Sequence, residues 1–202
     1  MKNPDLILAS ASAARLRLLT NAGFACVARP SDVDETAIKN DLRAQGASVD
    51  AVALALARAK AEAASPEDGS TIVIAADQML ASTDRWLDKA PDRAAAAGQL
   101  MRLQGRVHEL VVGCVVWRKG TERWSVVTRA ALTMRALTAG EIEAYLDCVG
   151  DAACASVGGY AIEGEGVRLF SKIEGDFFTI QGLPLLELSG FLHSAGFGFA
   201  AQ

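Results

Sequence analysis

Histidine is nearly absent from this chain: His108 and His193 are the only two in 202 residues. A histidine-rich metal centre is thereby excluded. Any divalent ion would have to be held by carboxylates, which favours an ion of the magnesium type. Cysteine is also sparse, and five residues separate Cys148 from Cys154. That spacing fits neither a CxxC pair nor a zinc knuckle, and Cys26 and Cys114 stand alone. Reduced thiols in a cytoplasmic protein are the simplest expectation. No apolar run approaches the roughly 18 residues of a membrane span. The opening Met1-Lys2-Asn3-Pro4-Asp5 lacks the apolar core of a signal peptide. Basic residues are not in excess either. With 20 Lys and Arg against 24 Asp and Glu, the net charge of −4 argues against a broad nucleic-acid surface. The phosphate-loop pattern GxxxxGK[ST] is missing, as is GxGxxG after a strand, and no Ser–His–Asp pattern stands out.

What remains is a globular composition, 51% hydrophobic and 22% charged, with ample material for a core. No repeat or linker is visible, so residues 1–202 are expected to form a single domain, in one or two lobes. The most informative stretch is at the start. Leu6-Ile7-Leu8-Ala9 suits a short buried strand; Ser10-Ala11-Ser12 breaks it; helical spacing then resumes through Leu16 and Leu19. Ser12 is a good N-cap. Backbone N–H groups and the positive end of a helix dipole would face one spot, where Ser10, Ser12 and Arg15 can converge. This is either an ordinary capped turn or a phosphate cradle.

A second strand is expected at 24–28, followed by a loop bearing Asp32, Asp34 and Glu35, which serves either as a solvated segment or as a metal-binding edge. Residues 48–64 read as a helix with Val52, Leu56, Ala59 and Ala63 as its buried stripe. Lys60, near the end of that helix, has the helix C-terminus as its ordinary partner. After a turn from Pro66 to Ser70, the run 71–76 is the most strand-like in the chain and is expected to end at Asp77-Gln78. A carboxylate at the end of a buried strand needs a metal, a base or a donor, and open α/β sheets place ligands there. Asp88-Lys89 leads into a helix at 92–103. Strands at about 107–118 and 123–134 pair as a hairpin. Thr138 and Glu141 form a capping box for a helix at 139–147. Residues 156–166 carry four glycines, suited to close backbone approach or to a loose loop. A strand at 167–173 and a helix at about 184–195 complete the chain. His108, at a strand start, is expected to be structural.

The acids Glu35 and Asp77 and the cations Arg15, Lys60 and Lys89 make a combination suited to phosphate chemistry. Cations mask phosphate oxygens, and carboxylates hold a divalent ion and activate water. The motifs, in order, resemble those of the Maf family of nucleoside triphosphate pyrophosphatases over nearly the whole chain. They are Leu8-Ala9-Ser10-Ala11-Ser12 with Arg15; Val33-Asp34-Glu35; Ala57-Arg58-Ala59-Lys60-Ala61; Ile74-Ala75-Ala76-Asp77-Gln78; Asp88-Lys89; Gly105-Arg106-Val107-His108; Gly159-Tyr160-Ala161-Ile162-Glu163-Gly164; and Gly182-Leu183-Pro184-Leu185. The resemblance implies a two-lobed α/β fold of the Maf/ITPase-like type. That fold has a mixed, elongated β-sheet flanked by helices and a central cleft, and it is often dimeric. It implies cleavage of the α–β phosphoanhydride with a divalent cation, Mg or Mn. It also assigns roles: Asp77 as general base and, with Glu35, metal-associated acid; Ser10, Ser12, Arg15, Lys60 and Lys89 on the phosphates.

Base specificity rests on fewer positions. Gln78 and Glu163 resemble the members acting on 7-methyl-GTP, whereas the dTTP/UTP type carries Thr and Gln there. A carboxylate can accept two N–H groups of a guanine edge, and N7 methylation adds positive charge that Glu163 would favour. Two positions depart from the pattern. Ala13 and Ala14 replace Pro and the Arg or Trp of the two types, and a lost aromatic platform is worth about 1–3 kcal/mol per base. Ala155-Ser156 stand where Asp-Lys is frequent. The runner-up activity is a dTTP/UTP pyrophosphatase. An alternative of another class is a non-catalytic nucleotide-binding regulator of cell division.

Overall fold

The computed structural model describes residues 6–66, 71–82 and 86–199. The opening five residues and most of the turn expected at Pro66 to Ser70 lie outside them. In chain order the elements are β1 (Leu6–Leu8), α1 (Ala13–Asn21), β2 (Cys26–Ala28), α2 (Glu35–Ala44), α3 (Val49–Ala64), β3 (Ile72–Ala81), β4 (Trp86–Leu87), α4 (Arg93–Leu103), β5 (Val107–Arg118), β6 (Thr121–Met134), α5 (Ala139–Val149), β7 (Phe170–Gly175), α6 (Phe177–Ile180) and α7 (Leu185–Ser194). The strands form one mixed sheet of seven in the order β2-β1-β3-β5-β6-β7, with β4 on β3. β1 pairs in parallel with both β2 and β3, while β6 and β7 are antiparallel. The class is α/β, as the sequence implies.

The chain divides into two compact units. The first comprises 1–78, 112–128 and 182–202; the second comprises 79–111 and 129–181. Each has its own apolar core. In the first, Ile7, Ala9, Val73, Ala75 and Val115 of the sheet meet Ala57, Ala61 and Ala64 of α3. In the second, Leu80, Leu100, Leu110, Leu132, Leu146, Tyr160 and Phe170 belong to one cluster. Among the described residues no helix is long and apolar enough to cross a membrane. All four cysteines are free thiols.

Local chemistry explains most boundaries. Ser12, Ser48, Asp92 and Thr138 each cap a helix through a side-chain oxygen, and Thr138 with Glu141 completes the capping box. Four expectations need correcting. The acidic loop yields a helix the sequence did not suggest: Asp34 accepts from the Ala37 N–H at 2.9 Å and starts α2 at Glu35, because acids favour the positive helix end. The buried stripe of α3 is Val52, Ala53, Leu56, Ala57, Lys60, Ala61 and Ala64, leaving Ala59 half-buried and Ala63 exposed. The strand expected to stop at Asp77 runs on to Ala81, since Met79 and Leu80 are apolar and buried. Finally, residues 165–169 form a 3₁₀ turn, and β7 starts only at Phe170.

Candidate functional site

The first unit gathers seven of the expected residues around the middle of β3. β1 runs alongside β3 as far as the Leu8–Ile74 pair. One further contact follows, from the Ala9 N–H to the Ile74 carbonyl at 2.8 Å, and the chain then turns away towards α1. Asp77 therefore sits on β3 just past the point where its parallel neighbour departs. Asp77 is mid-strand rather than terminal, yet it flanks an opening in the sheet made by the Ser10–Ser12 turn.

The turn is held by its own serines. Ser10 Oγ accepts from the Ser12 N–H at 3.1 Å, and Ser12 Oγ caps α1 by accepting from the Arg15 N–H at 3.3 Å. The guanidinium of Arg15 points inward. Its Nε donates to the Gly182 carbonyl at 2.8 Å; its Nη1 donates to the Ala76 carbonyl at 2.6 Å and to Ser10 Oγ at 3.2 Å. Gly182 adopts a left-handed φ of +90°, and a Cβ there would lie 3.2 Å from the guanidinium nitrogens, so a side chain would press on this contact. Arg15 thus ties α1 to the residue preceding Asp77 and to the approach to α7. Burial pulls its pKa down, while Asp77, Cys114 and Glu35 oppose that fall.

Lys60 is the hub of the charged cluster. It lies on the buried face of α3, with only 9% of its surface exposed. Its ammonium donates to Asp77 Oδ1 at 2.5 Å and to Glu35 Oε1 at 2.8 Å. The helix-end role expected for Lys60 is not what the structure shows. A buried ammonium needs such partners, because desolvating a lone charge costs several kcal/mol or more. Burial resists ionisation of Glu35, but the hydrogen bond and charge of Lys60, helped by Lys39 and Arg15, outweigh it and hold the carboxyl below its ordinary pKa. Asp77 is 5% exposed, and its Oδ2 is buried without a hydrogen-bond partner among the described residues. Native proteins seldom leave a buried carboxylate oxygen so.

Among the described residues there is no cluster of three or more acids, histidines or cysteines. The carboxylates come as a pair, Glu35 and Asp77. Such a pair suits Mg2+, which takes one or two protein carboxylates and fills its remaining positions with phosphate and water oxygens. Gln78 follows Asp77 on β3 and is half-buried.

Lys89 and Glu163 belong to the second unit. The backbone of Lys89 pairs with Val157 in an isolated antiparallel bridge, so Lys89 adjoins the glycine-rich segment 156–166 that also carries Glu163. Both residues are exposed. Two aromatic hydroxyls anchor the segment. Tyr145 donates to the Gly159 carbonyl at 3.1 Å, and Tyr160 shares a hydrogen bond with His108 Nε2 at 2.6 Å. This buried His–Tyr pair was invisible as a pair in the sequence, although the expectation of a structural role for His108 agrees with it.

His108 also sets a pH dependence. Burial lowers its pKa to about 4 from 6.5, and its Nδ1 is buried without a partner among the described residues. The folded state therefore favours the neutral ring. The stabilisation is fully present above pH 6.5 and is lost as pH falls towards 4, by on the order of 3 kcal/mol. Urea midpoints at pH 7 and pH 4.5 check this. The drop between them should shrink in His108→Gln; an unchanged drop would exclude His108 as its source.

Fold and site together define an α/β protein with a lysine-bridged carboxylate pair beside a serine-capped turn. The Maf family model (Maf-like protein) matches residues 5–195. The 7-methyl-GTP pyrophosphatase of Rhizobium etli is 47% identical over 193 residues, covering 96% of this chain and 97% of that one. The nucleoside triphosphate pyrophosphatases of Rhodopseudomonas palustris (50% identical, 94% and 93% covered) and Granulibacter bethesdensis (44%, 93% and 95%) are similar over comparable lengths. The chain belongs to the Maf family.

Proposed function

We propose that this protein hydrolyses nucleoside triphosphates to the monophosphate and pyrophosphate. The observation that carries the proposal is Asp77: a buried carboxylate with Oδ1 fixed by Lys60 and Oδ2 without a partner. The free lone pairs on Oδ2 suit it to take a proton from water attacking the α-phosphorus. The new bond is from water oxygen to α-phosphorus. The bond broken joins that phosphorus to the bridging oxygen, and the electron pair leaves with pyrophosphate.

Other residues prepare this step. Ser10 and Ser12 shape the turn whose helix-start N–H groups favour an anion. Arg15 holds the backbone at Ala76, and so sets where Asp77 stands. Lys60 and Lys89 supply positive charge for the phosphates. Glu35 and Asp77 would hold a divalent cation, Mg or Mn, which when bound masks phosphate charge and eases deprotonation of water. The names of the relatives support the same activity, and several of them support 7-methyl-GTP as substrate.

We assign base selection to Gln78 and Glu163, since Ala13 and Ala14 offer neither a charge nor a stacking ring. Pyrophosphate release across a panel of 7-methyl-GTP, GTP, UTP and dTTP with Mg2+ or Mn2+ tests the activity, and release from none of them would refute it. In the same panel, Glu163→Gln should cut the kcat/KM ratio of 7-methyl-GTP to UTP by roughly tenfold, about the value of one charge-assisted hydrogen bond. An unchanged ratio would remove Glu163 from base recognition.

A further inference from the structure

Lys60 holds both carboxylates at once, and this has a consequence for how a cation enters. Its single ammonium lies 2.8 Å from Glu35 Oε1 and 2.5 Å from Asp77 Oδ1. Those are the two side chains suited to a divalent cation. An ammonium hydrogen-bonded to both carboxylates and a divalent cation on the same pair would be like charges in one partly dry site, where repulsion is strong. Solvent reaches the pair from the Glu35 side, where 42% of the side chain is exposed, whereas only 7% of the Asp77 side chain is. The Lys60 side chain is 11% exposed, so its ammonium will not leave unless another anion receives it.

We infer that Lys60 is an interlock. In the nucleotide-free protein its ammonium substitutes for the divalent cation between Glu35 and Asp77, and it yields the pair only when a polyphosphate offers oxygens in exchange. Cation and polyphosphate then bind with positive coupling, and each raises affinity for the other. The protein so arranged does not load a metal without its substrate. This goes beyond a phosphate contact by Lys60 and rests on the pyrophosphatase reading for the identity of the incoming anion.

Mn2+ binding to nucleotide-free protein, followed by electron paramagnetic resonance, tests the interlock. Lys60→Met should bind Mn2+ at least about tenfold more tightly than wild type, because the competing charge is gone and the two carboxylates lose the cation they share, with Glu35 keeping the more distant Lys39 at 4.0 Å. Lys60→Arg keeps the competing charge and should stay within about threefold of wild type. Lys60→Met binding no tighter than wild type would overturn the inference.

A second measurement needs no folded Lys60→Met. In wild-type protein, the 15Nζ resonance of Lys60, assigned through its loss in Lys60→Arg, should be unmoved by Mg2+ alone. It should shift when Mg2+ and inorganic tripolyphosphate are added together. A shift with Mg2+ alone, or none with both, would overturn the interlock. Neither measurement involves turnover, so failure here is distinguishable from failure of pyrophosphate release by wild-type enzyme.

Discussion

Asp77→Asn lowers kcat for pyrophosphate release by roughly a thousandfold, within the range expected for loss of a general base, and leaves nucleotide affinity, titrated without divalent cation, within a few-fold of wild type. The substitution keeps size and shape, and its amide oxygen can still face Lys60. It removes the negative charge and the proton-accepting lone pairs on Oδ2. Folding survives because Lys60 retains Glu35 as a charged partner at 2.8 Å. Steady-state kinetics with a direct binding titration checks both halves. Substantial turnover by Asp77→Asn would mean that another group takes the proton.

Gly113→Ala destabilises the protein by about 3 kcal/mol, at the upper end of what overpacking costs. Gly113 lies on β5 in the first unit, and a Cβ there would stand 2.5–2.7 Å from the backbone of Ala53 and Leu54 in α3. Those atoms belong to a helical backbone and cannot rotate aside as a side-chain tip would. The helix must lift. Lys60 lies about two turns further along the same helix, so the shift also reaches the carboxylate pair. Urea unfolding measures the loss. A variant as stable as wild type would show that α3 does not pack on β5 at this point.

The sequence and the structure part company where a polar side chain does an internal job. The periodicity of α3 was legible, but a lysine is not normally counted on a buried face. Moving the stripe by one position brings Lys60 inside with Leu56, Ala57 and Ala61. Asp77 marked a boundary for the same reason: a charged residue in an apolar run looks like a strand end. Burial is tolerated because Lys60 is opposite. The acids before α2 read as a loop in the sequence, whereas Asp34 caps a helix there. Arg15 looked like a free cation beside a phosphate cradle, yet its acceptors at Ala76 and Gly182 are 61 and 167 residues away. No local pattern contains that distance. The caps at Ser12 and Thr138, the hairpin strands and the final helix were readable, because short-range chemistry fixes them.

Ordered motifs carried the candidate site further than any one residue could. Ser10, Ser12, Arg15, Glu35, Lys60, Asp77 and Gln78 are scattered over almost 70 positions, and folding of the first unit gathers them around β3. Lys89 and Glu163 share the second unit with the glycine-rich segment, where backbone pairing at Val157 brings the Lys89 region alongside it.

The central claim is attack by water at the α-phosphorus with Asp77 as base. Turnover of 7-methyl-GTP or UTP in 18O-labelled water, with products resolved by mass spectrometry, tests it most directly. The expected result is one 18O in the nucleoside monophosphate and none in the pyrophosphate. Label in pyrophosphate or in inorganic phosphate would place the attack elsewhere and contradict the account.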